Sequence, residues 1–366
     1  MERIVLGYSG SLDTSVAIPW LAERYGADVV AVTLDLGQGW ELADIRERAL
    51  SAGAVRAHVL DVRDEFARQY VLPVLQAGAT GRDGAPALTA LGRPLIAQKL
   101  IEIARIEGAT AVAHGCLPCS DDEGRLESAL RAVDASVKVL APLRESHMTQ
   151  DELIAYARTH HIFAADTAAD ERTTDVNLWG RSVDITAERT AGDEIYVLTR
   201  APEQSPDEAA YLDVEFEGGV PVRANGIEMP LSELIESIET IAGVHGVGRF
   251  DGQGNADVMH VYEAPAARVL QTAHAELERT ILPRRLRSLK DRLGREYTRL
   301  IDEGRWFSPT REAIDAFVAS VQRRVSGTVR VELLKGRCRA TSCRVDSAVL
   351  DRRPALEAST PASKRR

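Results

Sequence analysis

The chain has 366 residues, which is enough for two domains that each bury a core. Its 45% hydrophobic and 27% charged residues are typical of a globular protein, and its net charge of −10 argues against a general nucleic-acid binder. The apolar runs are too short to span a membrane, and no signal peptide is apparent. Four cysteines are too few for a disulfide framework. We therefore expect a cytoplasmic protein without nucleic-acid or membrane partners.

The first 160 residues alternate between extended apolar runs and helical patterns. The predicted strands are Ile4–Leu6, Val29–Leu34, Val55–Leu60, Ala111–Ala113 and Val137–Leu140. The predicted helices between them are Glu41–Ala52, Arg63–Leu75, Pro94–Ile106 and Glu123–Val133. Strands and helices that alternate in this way predict a parallel sheet covered on both faces, with ligands at the carboxyl ends of its strands.

From about residue 163 the pattern predicts a second, α+β domain. Its expected strands are Tyr196–Leu198, Leu212–Phe216, Val220–Val222 and Thr328–Leu334. Its expected helices are Leu231–Ile241, Pro265–Thr280, Arg284–Ile301 and Pro309–Val325. The basic, Ala/Ser/Pro-rich end of the chain predicts a mobile tail. We therefore expect domains at 1–162 and 163–345, followed by a tail at 346–366.

The turn after the first strand concentrates polar side chains. The stretch LGYSGSLDTSVAI, which begins at Leu6, places six small or polar residues before and within the first turn of a helix: Ser9, Gly10, Ser11, Asp13, Thr14 and Ser15. Backbone N–H groups at a helix N-terminus bind anions, hydroxyls add donors, and glycine lets a phosphate approach closely. The carboxylate of Asp13 can hold the Mg²⁺ that accompanies a nucleotide. The turn is neither a Walker loop nor a dinucleotide turn, and the alternative is a helix cap without a ligand.

The stretch SGSLDTS resembles the pyrophosphate loop of the ATP pyrophosphatase (PP-loop) superfamily. Further stretches resemble the argininosuccinate synthase family in family order, from residue 3 to about residue 336: VAVTLDLGQG, TALGRPLIAQKL, VAHGC, NLWGRS, HGVGR, VYEAPAARVL, WFSPTREAIDAFV and VSGTVRVELLKG. The resemblance implies an α/β fold: a parallel-sheet domain like the adenine nucleotide α-hydrolases, then an α+β synthetase domain with C-terminal helices. It also implies a homotetrameric ligase that acts on small molecules.

In the family, the ureido oxygen of citrulline attacks the α-phosphate of ATP, pyrophosphate leaves, and the amine of aspartate then displaces AMP. By similarity, the ATP contacts are Gly7, Tyr8, Ser9, Gly10, Ser11, Asp13, Thr14, Ser15, Leu34 and Gly115. The expected catalytic residues are Ser9, Asp13 and Asp122, and Asp13 is also expected to hold Mg²⁺. Ser11 stands where the family has a second glycine, and a positive φ there would strain it.

The substrate side matches the family less well. The expected substrate contacts are Thr89, Arg93, Asp121, Asp122, Arg125, Ser182 and Tyr262. A family tyrosine is replaced by Ala85, an aspartate-binding threonine by Leu117, and a glutamate has no counterpart in 250–260. The loop HGCLPCSDDEGRLE also loses a lysine and gains Asp121 and Glu123, which disfavours a dicarboxylate. We predict a divergent paralogue with an altered substrate, in specialised metabolism rather than in arginine biosynthesis.

Two other functions stay open from the residues. Cys116 and Cys119 form a C-x-x-C pair at the expected site, so one alternative is a PP-loop sulfurtransferase that acts on an adenylated substrate. Cys116 is otherwise the family's buried cysteine and Cys119 is incidental. The other alternative is a tetramer that binds ATP without catalysis.

Three further features have both a structural and a functional interpretation. A zinc site formed by Cys116 and Cys119 with Cys338 and Cys343 would need distant segments to meet. Asp121, Asp122 and Glu123 are either metal ligands or ordinary acids at a helix start. The basic helix Arg284–Ile301 favours subunit packing over nucleic-acid binding.

Overall fold

A computed structural model describes residues 2–39, 42–81, 88–162, 174–186, 195–251 and 258–345. The strands of its first sheet are β1 (Arg3–Gly7), β2 (Asp28–Asp35), β3 (Arg56–Asp61), β4 (Ala111–Ala113) and β5 (Lys138–Leu140). All pair in parallel, in the order β3-β2-β1-β4-β5. The predicted parallel sheet is therefore confirmed, and each strand lies within one residue of its predicted bounds.

Helices cover both faces of this sheet, because alternate side chains of β1 point to opposite sides. Ile4 and Leu6 pack in the hydrophobic cluster that contains Ile18, whereas Val5 packs in the cluster that contains Leu95. The helices are α1 (Leu12–Tyr25), α2 (Leu42–Ser51), α3 (Arg63–Phe66), α4 (Leu72–Ala77), α5 (Leu88–Glu107), α6 (Asp121–Val133), α7 (Pro142–Ser146) and α8 (Gln150–Thr159).

Two helices differ from their predictions. The segment predicted as one helix from Arg63 to Leu75 contains a π-helical turn, Ala67–Val71, between α3 and α4. Helix α5 begins at Leu88, so Pro94 lies inside it rather than at its start. Proline is frequent at helix starts, and that preference placed the predicted boundary too late.

The second part of the chain contains two antiparallel sheets. The first consists of β6 (Thr174–Asn177), β7 (Gly180–Thr186), β11 (Arg249–Asp251) and β12 (Val258–Glu263), in the order β11-β12-β7-β6. The second consists of β8 (Ala210–Glu217), β9 (Val220–Ala224), β10 (Ile227–Glu228), β13 (Gly327–Leu334) and β14 (Arg337–Val345), in the order β10-β9-β8-β13-β14. The predicted α+β character is confirmed, although none of the four strands of the first of these sheets was predicted.

Four helices accompany these sheets: α9 (Leu231–Val244), α10 (Pro265–Ile281), α11 (Arg284–Asp302) and α12 (Pro309–Gln322). The basic helix α11 is anchored within the chain, since the buried Lys290 Nζ lies 3.0 Å from Glu278 Oε2 of α10. Across the described ranges, no helix combines the length and the apolar character needed to cross a membrane. The predicted tail at 346–366 lies outside the described residues.

The predicted strand Tyr196–Leu198 is wrong. The backbone N–H groups of Val197 and Leu198 donate to the carboxylate of Glu263, both at 2.9 Å, as does the N–H of Thr199. A buried carboxylate thus replaces the neighbouring strand as the acceptor for this segment. The apolar run therefore folds as an irregular connection.

The second part of the chain contacts the carboxyl end of β2. The N–H of Leu178, in the turn between β6 and β7, donates to the carbonyl of Leu36 at 2.6 Å. Gly37 has a φ of +96°, and a Cβ added there would lie 3.0 Å from the backbone of Leu178. Glycine therefore permits both the turn and this close contact.

Candidate active site

Two loops meet where the strand order of the parallel sheet reverses. Strands β1 and β4 are neighbours, and their chains continue into α1 and α6. Such reversals open a crevice at the carboxyl edge of the sheet, which is the usual ligand site of this fold class. Gly115, after β4, lies so close to α1 that an added Cβ would be 2.4 Å from Thr14 Cγ2.

Three hydroxyl groups form a cluster at the start of α1. Ser9 Oγ lies 2.9 Å from Ser11 Oγ and 3.1 Å from Thr14 Oγ1, and Ser11 Oγ lies 3.2 Å from Thr14 Oγ1. Gly10, between the two serines, has a φ of +79°. Hydroxyl protons rotate, so these groups can turn from one another to an anion above the helix N-terminus.

Ser11 is not strained in the position where the family has glycine. Its φ of −71° and ψ of 167° are ordinary extended values, and its side chain accepts from the Thr14 N–H as the N-cap of α1. Ser15 Oγ donates to the Ser11 carbonyl at 2.8 Å, which ties the cap to the second turn. The serine therefore fits this turn without backbone cost.

Tyr8 and Leu34, both expected to contact the nucleotide, are buried. The Tyr8 hydroxyl lies 3.0 Å from Ser15 Oγ, and burial raises the pKa of this phenol despite that hydrogen bond. Leu34 is 7% exposed at the end of β2, where its carbonyl accepts from Gln38 Nε2 at 2.6 Å. Tyr8 thus supports the hydroxyl turn through its hydrogen bond to Ser15, and Gln38 fixes the end of β2 through its hydrogen bond to Leu34.

Asp13 is a half-buried carboxylate on the first turn of α1. Burial raises its pKa, and it has no hydrogen bond or ion pair with the part of the chain that the structure describes. An unpartnered carboxylate in such a place is costly unless a cation neutralises it. Asp13 therefore fits the role of a Mg²⁺ ligand.

Arg48 lies beside the turn, although no feature of the sequence singles it out. Its Nη1 donates to the Gly10 carbonyl at 3.2 Å from α2. A Cβ added at Gly10 would lie 3.3 Å from Nη2 of the same guanidinium. Arg48 brings a positive charge next to the hydroxyl cluster, and no local sequence pattern marks it because the approach depends on how α2 packs.

The cysteine pair lies in the loop between β4 and α6. Burial raises the pKa of the Cys116 thiol to about 11, so this thiol stays protonated at neutral pH. Cys119 is exposed, has a φ of +62°, and donates its N–H to Glu123 Oε2 at 2.8 Å. These properties favour a structural role for Cys116 and give no support to a sulfurtransferase.

Beneath this loop, one buried histidine and two buried glutamates form a network with an exposed arginine. Arg144 donates to Glu123 at 2.6 Å and to Glu127 at 3.0 Å. His114 Nδ1 accepts a hydrogen bond from the N–H of Cys116 at 3.3 Å. In a neutral ring the proton is therefore on Nε2, which lies 3.5 Å from Glu127. A protonated Nε2 and a guanidinium already between the carboxylates make this an ion-pair network rather than a metal centre.

The four-cysteine zinc site and the acidic metal cluster considered from the sequence are not formed by the described residues. Their only grouping of potential metal ligands is that histidine–glutamate network, so the four-cysteine zinc site is wrong. Cys338 and Cys343 lie apart from the loop, on β14 of the second antiparallel sheet. The acidic run Asp121–Glu123 forms ion pairs with arginines instead of a metal cluster.

Arg93 joins two carboxylates. Its Nη2 lies 2.8 Å from Asp122 Oδ2 on α6 and 2.5 Å from Asp175 Oδ2 on β6. Burial alone would raise the pKa of Asp122, but Arg93 and Arg125 outweigh it and lower that pKa. Burial raises the pKa of Asp175, and Asp122 adds to this effect although Arg93 opposes it.

Arg125 is committed to contacts within the chain. Its Nε donates to the Asp302 carbonyl at 2.8 Å, and its Nη1 lies 3.2 Å from Asp122 Oδ1. Its Nη2 lies 3.5 Å from Asp121, whose side chain is 89% exposed. The predicted contacts Arg93, Asp121, Asp122 and Arg125 are therefore brought together as one ion-pair group.

Ser182 and Tyr262 are also brought together. They are direct cross-strand partners on β7 and β12, and Asp175 on β6 is the partner of Ser182 on its other side. Asp175, Ser182 and Tyr262 thus form one row across the sheet, and this row leads to Arg93. Of the remaining substrate positions, Thr89 lies near the start of α5, whereas Ala85 lies outside the described residues.

Comparisons with known proteins agree over nearly the whole chain. The family model described as the arginosuccinate synthase N-terminal HUP domain matches residues 3–163, and that of the C-terminal domain matches residues 173–356. An argininosuccinate synthase of Streptococcus thermophilus is 43% identical over 358 residues, which are 96% of this chain and 89% of the relative. One of Bacillus thuringiensis is 43% identical over 343 residues, which are 92% of this chain and 85% of the relative.

Among solved structures, the U34-tRNA thiolase NcsA of Methanococcus maripaludis is 16% identical and aligns with a TM-score of 0.29. The alignment covers 45% of this chain and 58% of that one. A likeness this weak supports no conclusion about function.

Proposed function

Because the chain belongs to the argininosuccinate synthase family of ATP-dependent carbon–nitrogen ligases, we propose that it adenylates the ureido or similar carbonyl oxygen of a citrulline-type acceptor and joins that acceptor to an amine. The observation that carries this proposal is the hydroxyl turn at the sheet reversal, in contact with Gly115. AMP and pyrophosphate are the other products. By the family resemblance, the enzyme acts as a cytoplasmic homotetramer.

The residues around the turn would serve the first step through charge and position. The hydroxyls of Ser9, Ser11 and Thr14, with the N–H groups at the start of α1, bind the phosphates, and Arg48 adds positive charge beside them. The acceptor oxygen attacks the α-phosphorus and pyrophosphate departs. An amine then forms the carbon–nitrogen bond while the carbon–oxygen bond to AMP breaks and the amine loses a proton.

The loop and its ion pairs support an altered amine substrate. Leu117 is half exposed, and the side chains of Arg93 and Arg125 already hold carboxylates of the chain. A second carboxylate on the amine would therefore compete with Asp121 and its neighbours for the same guanidinium groups. These contacts favour an amine without the second carboxylate of aspartate.

Mass spectrometry of the products tests the proposal. The protein is incubated with ATP, Mg²⁺ and citrulline, together with aspartate or with β-alanine, ethanolamine or putrescine. We expect AMP with citrulline present, and a condensation product with an amine from the second group at a higher rate than argininosuccinate. Faster formation of argininosuccinate would overturn the proposed change of amine substrate, but the proposed ligase reaction would stand. No AMP or pyrophosphate with citrulline or with other ureido and amide acceptors would overturn adenylation.

The Mg²⁺ assignment rests on Asp13. When bound, the ion would neutralise phosphate charge, and Asp13 is the carboxylate of the turn that would hold it. We expect Asp13→Asn to lower the rate of pyrophosphate release at least a hundredfold and to raise the free energy of unfolding by about 1 kcal/mol at pH 7. The gain arises because an unpartnered, half-buried charge disappears. Since burial raises the pKa of Asp13, the gain should vanish at acid pH, where both states of the wild type are protonated.

Pyrophosphate release and urea unfolding at pH 7 and pH 3.5 measure these effects. Asp291→Asn, on the exposed side of α11, is the control and should change neither quantity. An Asp13→Asn variant with normal Mg²⁺-dependent release, or with reduced stability at pH 7, would contradict the assignment.

A further inference from the structure

One guanidinium nitrogen connects the two halves of the candidate site. Arg93 Nη2 contacts Asp122 at the start of α6 and Asp175 on β6, so a single group joins the helix after the β4 loop to the antiparallel sheet. The side chains of Arg93, Asp122 and Asp175 are 19%, 30% and 28% exposed, so solvent screens this group less than it screens a surface pair.

The strand register places Asp175 in the row that carries the expected acceptor contacts. Ser182 pairs with Asp175 on one side and with Tyr262 on the other. Asp122 belongs instead to the loop expected to meet the amine, and it also receives Arg125 Nη1. Displacement of Asp175 would therefore move Arg93, and with it Asp122, relative to Ser182 and Tyr262.

We infer that Asp175 is a positioning residue for the ligase reaction, which acts through Arg93 to hold Asp122 at a fixed place relative to the row Asp175–Ser182–Tyr262. This inference deepens the proposed function and rests on it. Asp175 does not need to touch either substrate. Its carboxylate restrains the guanidinium, which would otherwise rotate about Asp122 alone.

Asp175→Asn tests the inference because the amide keeps the shape and removes the charge. With the substrates that support turnover, we expect the KM of the amine to rise about tenfold and kcat to fall about tenfold, while the KM of ATP stays within twofold. Arg93→Lys, whose ammonium group ends one bond short of the position of Nη2, should give a similar pattern. The double variant should be no more than twofold worse than the worse single variant, because both act through one contact.

Asp213→Asn is the matched control. Asp213 also pairs with an arginine, Arg330 at 2.7 Å, but on the sheet formed by β8 and β13. The Asp213→Asn variant should change no kinetic constant. Its unfolding midpoint measures the loss of stability that follows from removing an Asp–Arg pair. An equal loss in the KM of ATP and of the amine in Asp175→Asn, or full additivity with Arg93→Lys, would overturn the positioning role.

A measurement without substrates separates this inference from the proposed function. Hydrogen exchange should be at least threefold faster at the start of α6 in Asp175→Asn than in the wild type, and unchanged there in Asp213→Asn. If the wild type forms no product but this difference appears, the proposed function fails and the restraint on Asp122 stands. If exchange at the start of α6 is unchanged, the inference fails whatever the substrates are.

Discussion

Gly115→Ala is expected to weaken ATP binding at least tenfold. The added Cβ would lie 2.4 Å from Thr14 Cγ2, which is closer than carbon atoms approach in proteins. Either the Thr14 side chain rotates or the β4 loop and α1 separate, and separation would open the crevice between the two loops. The hydroxyl cluster would be disturbed because Thr14 Oγ1 is one of its members.

Isothermal titration calorimetry with Mg-ATP measures this loss, and a second substitution identifies its cause. Thr14→Ser removes Cγ2 but keeps the hydroxyl, so the double variant Gly115→Ala/Thr14→Ser should recover most of the affinity lost by Gly115→Ala. The Thr14→Ser single variant is the reference for the double one. If the double variant binds as weakly as Gly115→Ala, the contact with Cγ2 is not the cause.

Glu263→Gln is expected to lower the free energy of unfolding by about 3 kcal/mol, the cost of breaking a buried ion pair. The Glu263 side chain is 1% exposed and pairs with Arg181 at 3.0 Å. It also accepts the N–H groups of residues 197–199 and the Thr199 hydroxyl. A glutamine turns an NH₂ group toward these donors, so Arg181 and part of the backbone lose their acceptor.

Urea unfolding measures this cost, with Glu296→Gln as the control. Glu296 pairs with Arg299 on the surface of α11, with side chains that are 35% and 52% exposed, so its loss should cost much less than the loss of Glu263. Since Glu263 directly follows Tyr262 on β12, Glu263→Gln should also weaken binding of the acceptor. Equal stability losses in the two variants would show that the Glu263 network is not a major source of stability.

Much of the first domain could be predicted from sequence because its signals are local. Each buried parallel strand is an apolar run. The helical pattern between two such runs implies that a helix connects two parallel strands. The polar turn at Ser9–Ser15 follows directly, since the end of a parallel strand is a ligand site in this fold class. The residues expected to contact ATP therefore gather around one turn.

The second domain and the rest of the site depend on distant partners. Tyr196–Leu198 has a strand-like composition, but Glu263, more than 60 residues later, takes its hydrogen bonds. Arg48 and Asp175 carry no motif, because their roles arise from helix packing and strand register. Arg93 was identified only through its family motif, and its two carboxylate partners lie 29 and 82 residues away in the chain.

The hydrogen bond from Leu178 to Leu36 bears on how substrates enter. It joins the hairpin of β6 and β7 to the end of β2, and Gly37 leaves no room for the two backbones to slide past each other. A hinge at this junction would break a 2.6 Å hydrogen bond and separate tightly packed chain. The β2 side of the site is therefore expected to stay fixed while substrates enter and products leave.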